Sequence, residues 1–182
     1  MVIFLHKKIV LKVLAFGGSN TIHSINKSLT QYAASLLNAH EVTLVNINDY
    51  PVPIYSLDTE ANIGIPDEAV AFSKLIDASD LLLISMAENN GSYNVGFKNL
   101  IDWLSRIKNR KTFGNKKVFL IATSPGKRGG TTVLTGAVNY FPFIGAEVVG
   151  SFSLPEFNVN FKDGKVVDED LNASLKLALE AL

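Results

Sequence analysis

A loop rich in small polar residues follows the first apolar segment of the chain, and a helical pattern begins directly after it at Ile25. Gly17 and Gly18 open the loop and permit a tight turn. The polar residues of the loop and of the first helical turn are Ser19, Asn20, Thr21, Ser24 and Asn26. The start of a helix presents unpaired backbone N–H groups and partial positive charge. The loop therefore predicts a phosphate site made of neutral donors, although an ordinary capped turn has the same composition.

Two further polar loops that contain glycine follow the third and fourth strand-like apolar segments. The earlier one covers residues 87–94 and begins with Ala87, Glu88, Asn89, Asn90 and Gly91. The later one covers residues 124–130 and contains Ser124, Gly126, Gly129 and Gly130. Amides can line the polar edge of a flat heterocycle, and glycines let a backbone approach a ring closely. These features meet the needs of a mononucleotide such as FMN, although the spacing does not separate FMN from other mononucleotides.

Apolar patterning predicts five strands that alternate with five helices. The strands are predicted over residues 9–16, 41–48, 80–86, 117–123 and 147–152, and the helices over residues 25–37, 69–76, 97–107, 133–141 and 168–182. The proline-containing segment 49–66 is predicted to be a loop. Asp163-Gly164, between short apolar runs in residues 157–167, predicts a small turn or hairpin. Because parallel crossovers are right-handed, the alternation predicts a three-layer α/β/α fold with a five-stranded parallel sheet.

The predicted strand order is 2-1-3-4-5, which makes the three strands that precede the polar loops neighbours in the sheet. Their carboxyl ends then meet near the switch point between the first and third strands. Ligands of open α/β sheets bind at that place. The convergence of the three loops therefore favours a ligand site over three unrelated turns.

The composition limits the classes of function. The chain has 182 residues, 47% of them hydrophobic, and 17 basic residues balance 17 acidic ones. We predict one domain over residues 1–182, with residues 1–8 as a short N-terminal extension. Neutrality argues against nucleic-acid binding, and no apolar run reaches the roughly 20 residues of a membrane span. The chain has no cysteine, and its three histidines are scattered, so we predict no metal site.

The three polar loops, and the helix that follows the second loop, resemble the NADPH-dependent FMN reductase family. That family includes flavodoxin-like reductases of quinones, azo dyes and chromate. The resemblance rests on residues 18–26, 88–93, 98–106, 124–126 and 129–130. It implies a flavodoxin-like fold, bound FMN, and NADPH or NADH as the electron donor. It further implies a small-molecule acceptor that is quinone-like, an azo compound or free flavin. A cytoplasmic homodimer or homotetramer is also expected.

The resemblance also implies roles for individual residues. Ser19, Ser24 and Asn26 would hold the phosphate within a loop that includes Asn20 and Thr21, and the Ile25 N–H would be a backbone donor. The segment from Ala87 through Glu88, Asn89 and Asn90 to Gly91 would run along the isoalloxazine. Ser124, Gly126, Gly129 and Gly130 would close its other side. No acid–base residue is assigned, since the flavin carries the hydride chemistry.

Two departures from the family pattern bear on turnover. Thr21 stands where the family commonly has Arg, and Asn89 replaces the Tyr of the usual Pro-Glu-Tyr-Asn. Lys27, Lys127 and Arg128 are nearby sources of positive charge. For each of them, the simpler interpretation is a solvated position on the surface. A flavodoxin-type electron carrier is an alternative that the neutral charge disfavours. A non-catalytic flavin-binding or sensor module is another, which the two departures keep open.

Overall fold

The computed structural model describes residues 9–182, so the predicted extension over residues 1–8 lies outside the described residues. The strands of the main sheet are β1 (Lys12–Gly18), β2 (Glu41–Leu44), β3 (Leu81–Met86), β6 (Lys116–Thr123) and β7 (Ala146–Leu154). Two short hairpins supply β4 (Glu88–Asn89), β5 (Ser92–Tyr93), β8 (Phe161–Lys162) and β9 (Lys165–Val166). The helices are α1 (Ile25–Leu36), α2 (Leu57–Ile63), α3 (Asp67–Asp77), α4 (Val95–Arg106), α5 (Thr131–Tyr140), α6 (Phe157–Asn160) and α7 (Glu169–Glu180).

The main sheet is parallel throughout and has the order β2-β1-β3-β6-β7. This is the predicted order 2-1-3-4-5, so the flavodoxin-like fold is confirmed. Successive side chains of β1 point to opposite faces. Leu14 and Phe16 pack with residues of α3, α4 and α5, whereas Val13 and Ala15 pack with residues of α1 and α7. The sheet therefore lies between two helical layers, each with its own apolar core.

The main difference from the predicted elements lies in the segment 49–66, which contains α2. Ser56 begins this helix, because its hydroxyl oxygen accepts a hydrogen bond from the Thr59 N–H at 3.0 Å. None of the residues of α2 is buried, so the helix has no apolar stripe that a pattern search could detect.

Among the strands of the main sheet, β2 and β1 differ most from the predicted boundaries. β2 ends at Leu44, not at residue 48, because the Asn46 side chain accepts from the Asn48 N–H and starts a 3₁₀ turn. β1 begins at Lys12 and continues through both glycines to Gly18. The polar loop therefore starts directly at the end of a strand.

Three local features lie outside the main sheet. The predicted turn at Asp163-Gly164 is confirmed between β8 and β9. Asn90 and Gly91 form an unpredicted tight turn between β4 and β5, with φ of 52° and 76°. Trp103 is buried, and its indole Nε1 donates to the Pro53 carbonyl at 2.7 Å, so it is a core residue of this chain. Among residues 9–182, no helix combines the length and apolar character that a bilayer crossing requires.

Candidate functional site

The three polar loops begin next to one another at the carboxyl edge of the sheet. Gly18 at the end of β1 is paired in register with Met86 at the end of β3, and Met86 is paired with Ala122 of β6. This register places the first residues of each loop on adjacent strands. The convergence that the strand order predicted is therefore present in the fold.

The first loop leaves hydrogen-bond donors available at the start of α1. Ser24 is the N-cap of α1 and only 7% exposed, yet its hydroxyl makes no capping hydrogen bond. The N–H groups of Ile25 and Asn26 lie in the first turn, where a helix provides no acceptor for them. Ser19 is also buried, and its hydroxyl oxygen accepts from the Thr21 N–H at 3.2 Å. The loop thus combines an uncommitted hydroxyl, carried by a largely buried serine, with backbone amides that the helix leaves without acceptors.

Asn26 differs from its neighbours because its side chain is committed inside the protein. Its Oδ1 accepts from the Ser85 hydroxyl at 2.8 Å and from the Thr123 N–H at 3.2 Å. Its Nδ2 donates to the Thr123 carbonyl at 3.4 Å. The carboxamide therefore joins α1 to β3 and β6, and the backbone N–H is the group of Asn26 that remains for a ligand.

Asn94 connects the first loop with the second, a role that sequence reasoning missed. It is the N-cap of α4, and its Oδ1 accepts from the N–H groups of Gly96 and Phe97 at 3.0 and 3.4 Å. The same oxygen accepts from the Asn20 N–H at 3.3 Å. Its Nδ2 donates to the Asn20 Oδ1 at 3.0 Å and to the Asn89 Oδ1 at 3.1 Å. We call Asn20, Asn89 and Asn94 the Asn94 network.

Glu88 connects the second loop with the start of α5. Its Oε2 accepts from the Val133 N–H at 3.1 Å, which satisfies a donor of the first turn of that helix. Its Oε1 lies 4.0 Å from Nη2 of Arg128, whose side chain is 77% exposed. Beside it, Ala87 is buried, whereas Asn90 and Gly91 are exposed at the tip of the hairpin. The second loop is thus fixed at its base and open at its tip.

The third loop is packed against the end of β7. Gly129 has φ of 57°, and a Cβ there would lie 2.4 Å from the Ser153 hydroxyl oxygen. The Gly126 carbonyl accepts from the Glu156 N–H, and the Ser124 carbonyl accepts from the Phe157 N–H, both at 3.0 Å. The chain after β7 is a supporting element that the sequence did not reveal, because it contacts the loop through backbone groups.

The three candidate cations have different environments. Lys127 and Arg128 are exposed, which agrees with their interpretation as solvated surface residues. For Lys27 that interpretation is wrong, because its Nζ is buried and has no hydrogen-bond partner among the described residues. Burial lowers the pKa of the Lys27 ammonium, and the Asp49 carboxylate acts to a smaller extent in the opposite direction. Within residues 9–182, no group of three or more His, Cys, Asp or Glu side chains could hold a metal ion.

A family model described as NADPH-dependent FMN reductase matches residues 11–159 of this chain. The chain belongs to the NADPH-dependent FMN reductase family. A 2-hydroxy-1,4-benzoquinone reductase from a Burkholderia species is 35% identical over 120 residues, which cover 65% of this chain and 63% of that protein. A quinone reductase of Escherichia coli K12 is 30% identical over 125 residues, with coverage of 65% and 64%. The chain thus matches just under two thirds of the length of these two reductases.

A solved structure extends the likeness over almost the whole chain. FerB from Paracoccus denitrificans, a flavoenzyme NAD(P)H:(acceptor) oxidoreductase, superposes with a TM-score of 0.75 at 26% identity over 94% of both chains. The predicted family is thereby confirmed, as is the enzyme class of an NAD(P)H-dependent oxidoreductase.

Proposed function

We propose that this chain binds FMN at the carboxyl edge of the sheet and reduces quinone-like acceptors with NADPH or NADH. Azo compounds and free flavins are further acceptors of the same kind. The observation that carries the proposal is the convergence of three loops around donors that remain free at the start of α1. Family membership supports the same conclusion independently.

The residues of the first loop fit a phosphate monoester. The uncommitted Ser24 hydroxyl and the N–H groups of Ile25 and Asn26 are donors at the start of a helix, where anions bind. Ser19 and Thr21 belong to the same turn and bring two more hydroxyl groups. Asn20 lies beside them and is held by the Asn94 network.

The second and third loops would hold the flavin ring. The segment from Ala87 through Glu88, Asn89 and Asn90 to Gly91 offers amide and backbone groups on one side of the crevice. Ser124, Gly126, Gly129 and Gly130 offer backbone groups on the other side. Both loops are anchored, the second through Glu88 and the third through the chain after β7. Anchoring of this kind keeps the binding groups in place before the ligand arrives, which raises affinity.

FMN bound in this crevice supplies the two-electron hydride chemistry of the family. The protein binds and orients the ring, and no side chain is assigned as a general acid or base. We expect the electron donor and the acceptor to occupy the same crevice in turn. This predicts ping-pong kinetics, so double-reciprocal plots should be parallel for any accepted quinone. Intersecting lines would show that both substrates bind together.

The proposal includes a homodimer or homotetramer that works in the cytoplasm. Large apolar side chains are exposed on and near α2 and at the start of α4, where a second subunit could cover them. They are Ile54, Leu57, Ile63 and Val95, with exposed fractions of 70%, 71%, 58% and 64%. Sedimentation equilibrium of the purified protein tests the oligomeric state.

The visible spectrum tests the central proposal. The purified protein is scanned alone, after addition of FMN, and after anaerobic addition of NADPH or NADH. Flavin bands near ~450 nm that bleach with a nicotinamide nucleotide would support a reductase. Bound flavin that does not bleach would favour an electron carrier or a sensor module, with Thr21 and Asn89 as the residues to change first. If the protein takes up no FMN at micromolar concentration, the proposal is wrong.

A further inference from the structure

Lys27 carries a charge that the described contacts leave uncompensated. It lies in the first turn of α1, directly after Asn26, and its Nζ is buried without a hydrogen-bond partner among the described residues. A buried ammonium normally has an acceptor or an ion-pair partner, because its desolvation is unfavourable. Its position at a helix N-terminus adds to the positive potential there. The first loop therefore holds more positive charge than its neutral donors suggest.

The surroundings of Lys27 contain one opposing charge. The side chain lines an open cavity of about 570 Å³ between α1 and the chain after β2, together with Gly17, Ser24, Asn46 and Asp49. Asp49 is the acidic residue that faces the ammonium, but the two groups do not form an ion pair within 4.0 Å. His23 lies at the exposed rim of the same cavity. The ammonium is thus near a carboxylate and not neutralised by it.

The stem of Lys27 lies against the end of β1, just before the first loop begins. A Cβ placed on Gly17 would lie 3.0 Å from the Lys27 Cγ, so the stem packs against the end of β1. The uncommitted Ser24 hydroxyl lines the same cavity as the lysine. Lysine presents its charge on a flexible four-carbon stem, so a small rotation re-aims the ammonium.

We propose that Lys27 is the cation of the first-loop phosphate site and binds the phosphate monoester of FMN, where the family commonly uses the Arg that Thr21 replaces here. This inference rests on the proposed function. It gives Lys27 a ligand-binding role. The lysine thereby compensates for the Arg that is missing at position 21. The competing explanation is that Lys27 serves the fold by its attraction to Asp49.

The decisive experiment compares FMN with riboflavin, which has the same ring and no phosphate. Dissociation constants for both are measured by flavin fluorescence for the parent protein, Lys27→Met and Lys27→Arg. We expect Lys27→Met to weaken FMN binding about tenfold or more and to change riboflavin binding by less than about twofold. Lys27→Arg should retain most of the preference for FMN. Lys74→Met on α3, which removes an exposed lysine, is the matched control and should change neither constant.

Three results would overturn the inference. Equal weakening of both flavins by Lys27→Met would show a structural role. Unchanged binding of both flavins would show that the ammonium does not reach the phosphate. An unchanged FMN-to-riboflavin ratio with a lost preference for NADPH over NADH would assign the lysine to the phosphate of the electron donor. A parent protein that binds neither flavin would instead refute the proposed function.

Unfolding of the flavin-free protein provides a second, independent readout. If Lys27 serves the ligand, Lys27→Met should leave the thermal midpoint of the flavin-free protein unchanged or raise it, because a buried unpaired charge is removed. Asp49→Asn should then leave FMN affinity unchanged or raise it, since the competing carboxylate is gone. If the attraction to Asp49 serves the fold, both variants should lower the midpoint by similar amounts, and the inference fails.

Discussion

Replacement of Asn94 tests whether the first and second loops act as one unit. The Asn94 side chain is 5% exposed and takes part in every hydrogen bond of the Asn94 network. Asn94→Ala removes the N-cap of α4 and leaves the polar groups of Asn20 and Asn89 without their partner. Asn94→Asp keeps the capping oxygen and replaces the amide donor with a second, negatively charged carboxylate oxygen.

The expected losses of stability follow from these bonds. Loss of an N-cap costs about 1 kcal/mol, and each lost hydrogen bond about 0.5–1.5 kcal/mol. We therefore expect Asn94→Ala to lower the free energy of unfolding by about 3 kcal/mol, with water replacing part of what is lost. Asn94→Asp should cost about 2 kcal/mol, because two donated bonds are lost and the cap remains. The control is Asn172→Ala on α7, which removes the acceptor of a hydrogen bond that the Tyr32 hydroxyl donates. This variant should lower the free energy of unfolding by about 1 kcal/mol.

The assay combines urea unfolding of the flavin-free protein with FMN titration of the folded variants. If the Asn94 network positions the loops, both Asn94 variants should weaken binding of FMN and of riboflavin in parallel, whereas Asn172→Ala should not. A stability loss below about 1 kcal/mol for Asn94→Ala would refute the energetic estimate. A full stability loss with unchanged flavin affinity would refute the claim that the network positions the binding loops.

Three further predictions concern the third loop, the helix α5 and the surface of α4. Gly129→Ala would place a Cβ 2.4 Å from the Ser153 oxygen at φ of 57°, so we expect a loss of about 1–3 kcal/mol in urea unfolding and weaker FMN binding. Gly136→Ala on α5, with nothing within 4 Å of its Cβ, should instead gain about 0.5–1 kcal/mol. The Arg106 guanidinium lowers the pKa of Glu60 below its ordinary 4.5. Their ion pair therefore stabilises the fold fully above that ordinary value, and its effect is lost as the pH falls through the lower pKa that Glu60 has in the folded protein. Arg106→Ala should lower the unfolding midpoint at neutral pH, and its difference from the parent should shrink in acid.

The fold was predictable from the sequence because its three central strands, β1, β3 and β6, are buried on both faces. A segment such as Leu81–Met86 is apolar in every position but one, and all its residues are buried. Such segments can only be central strands of a covered parallel sheet. Once their alternation with helices is recognised, the right-handed crossover leaves few possible orders. The place of the site follows from the order alone, since loops after neighbouring parallel strands must meet.

α2 and the Asn94 network escaped prediction for a different reason. α2 buries no residue, so no apolar period marks it, and only the cap at Ser56 signals its start. Asn94 acts through partners 74 and 5 residues away, and a polar side chain carries no sign of which amides it will meet. The turn at Asn90-Gly91 is the one missed element with a plain local signal, because Asn-Gly favours a two-residue hairpin.

Hydrogen bonds between elements, and not the loops themselves, give the site its rigidity. Asn94 joins the first loop to the second, Glu88 joins the second to the start of α5, and the N–H of Glu156 holds the third loop to the end of β7. Each connection uses a group that is already satisfied before any ligand binds. A crevice held in this way is preorganised, so binding energy is not spent on ordering the loops. Lys27 is the exception, since its ammonium has no partner among the described residues and can still move towards an anion. If FMN binds as we propose, the fixed amides would orient the ring and one adjustable lysine would recognise the charge of the phosphate.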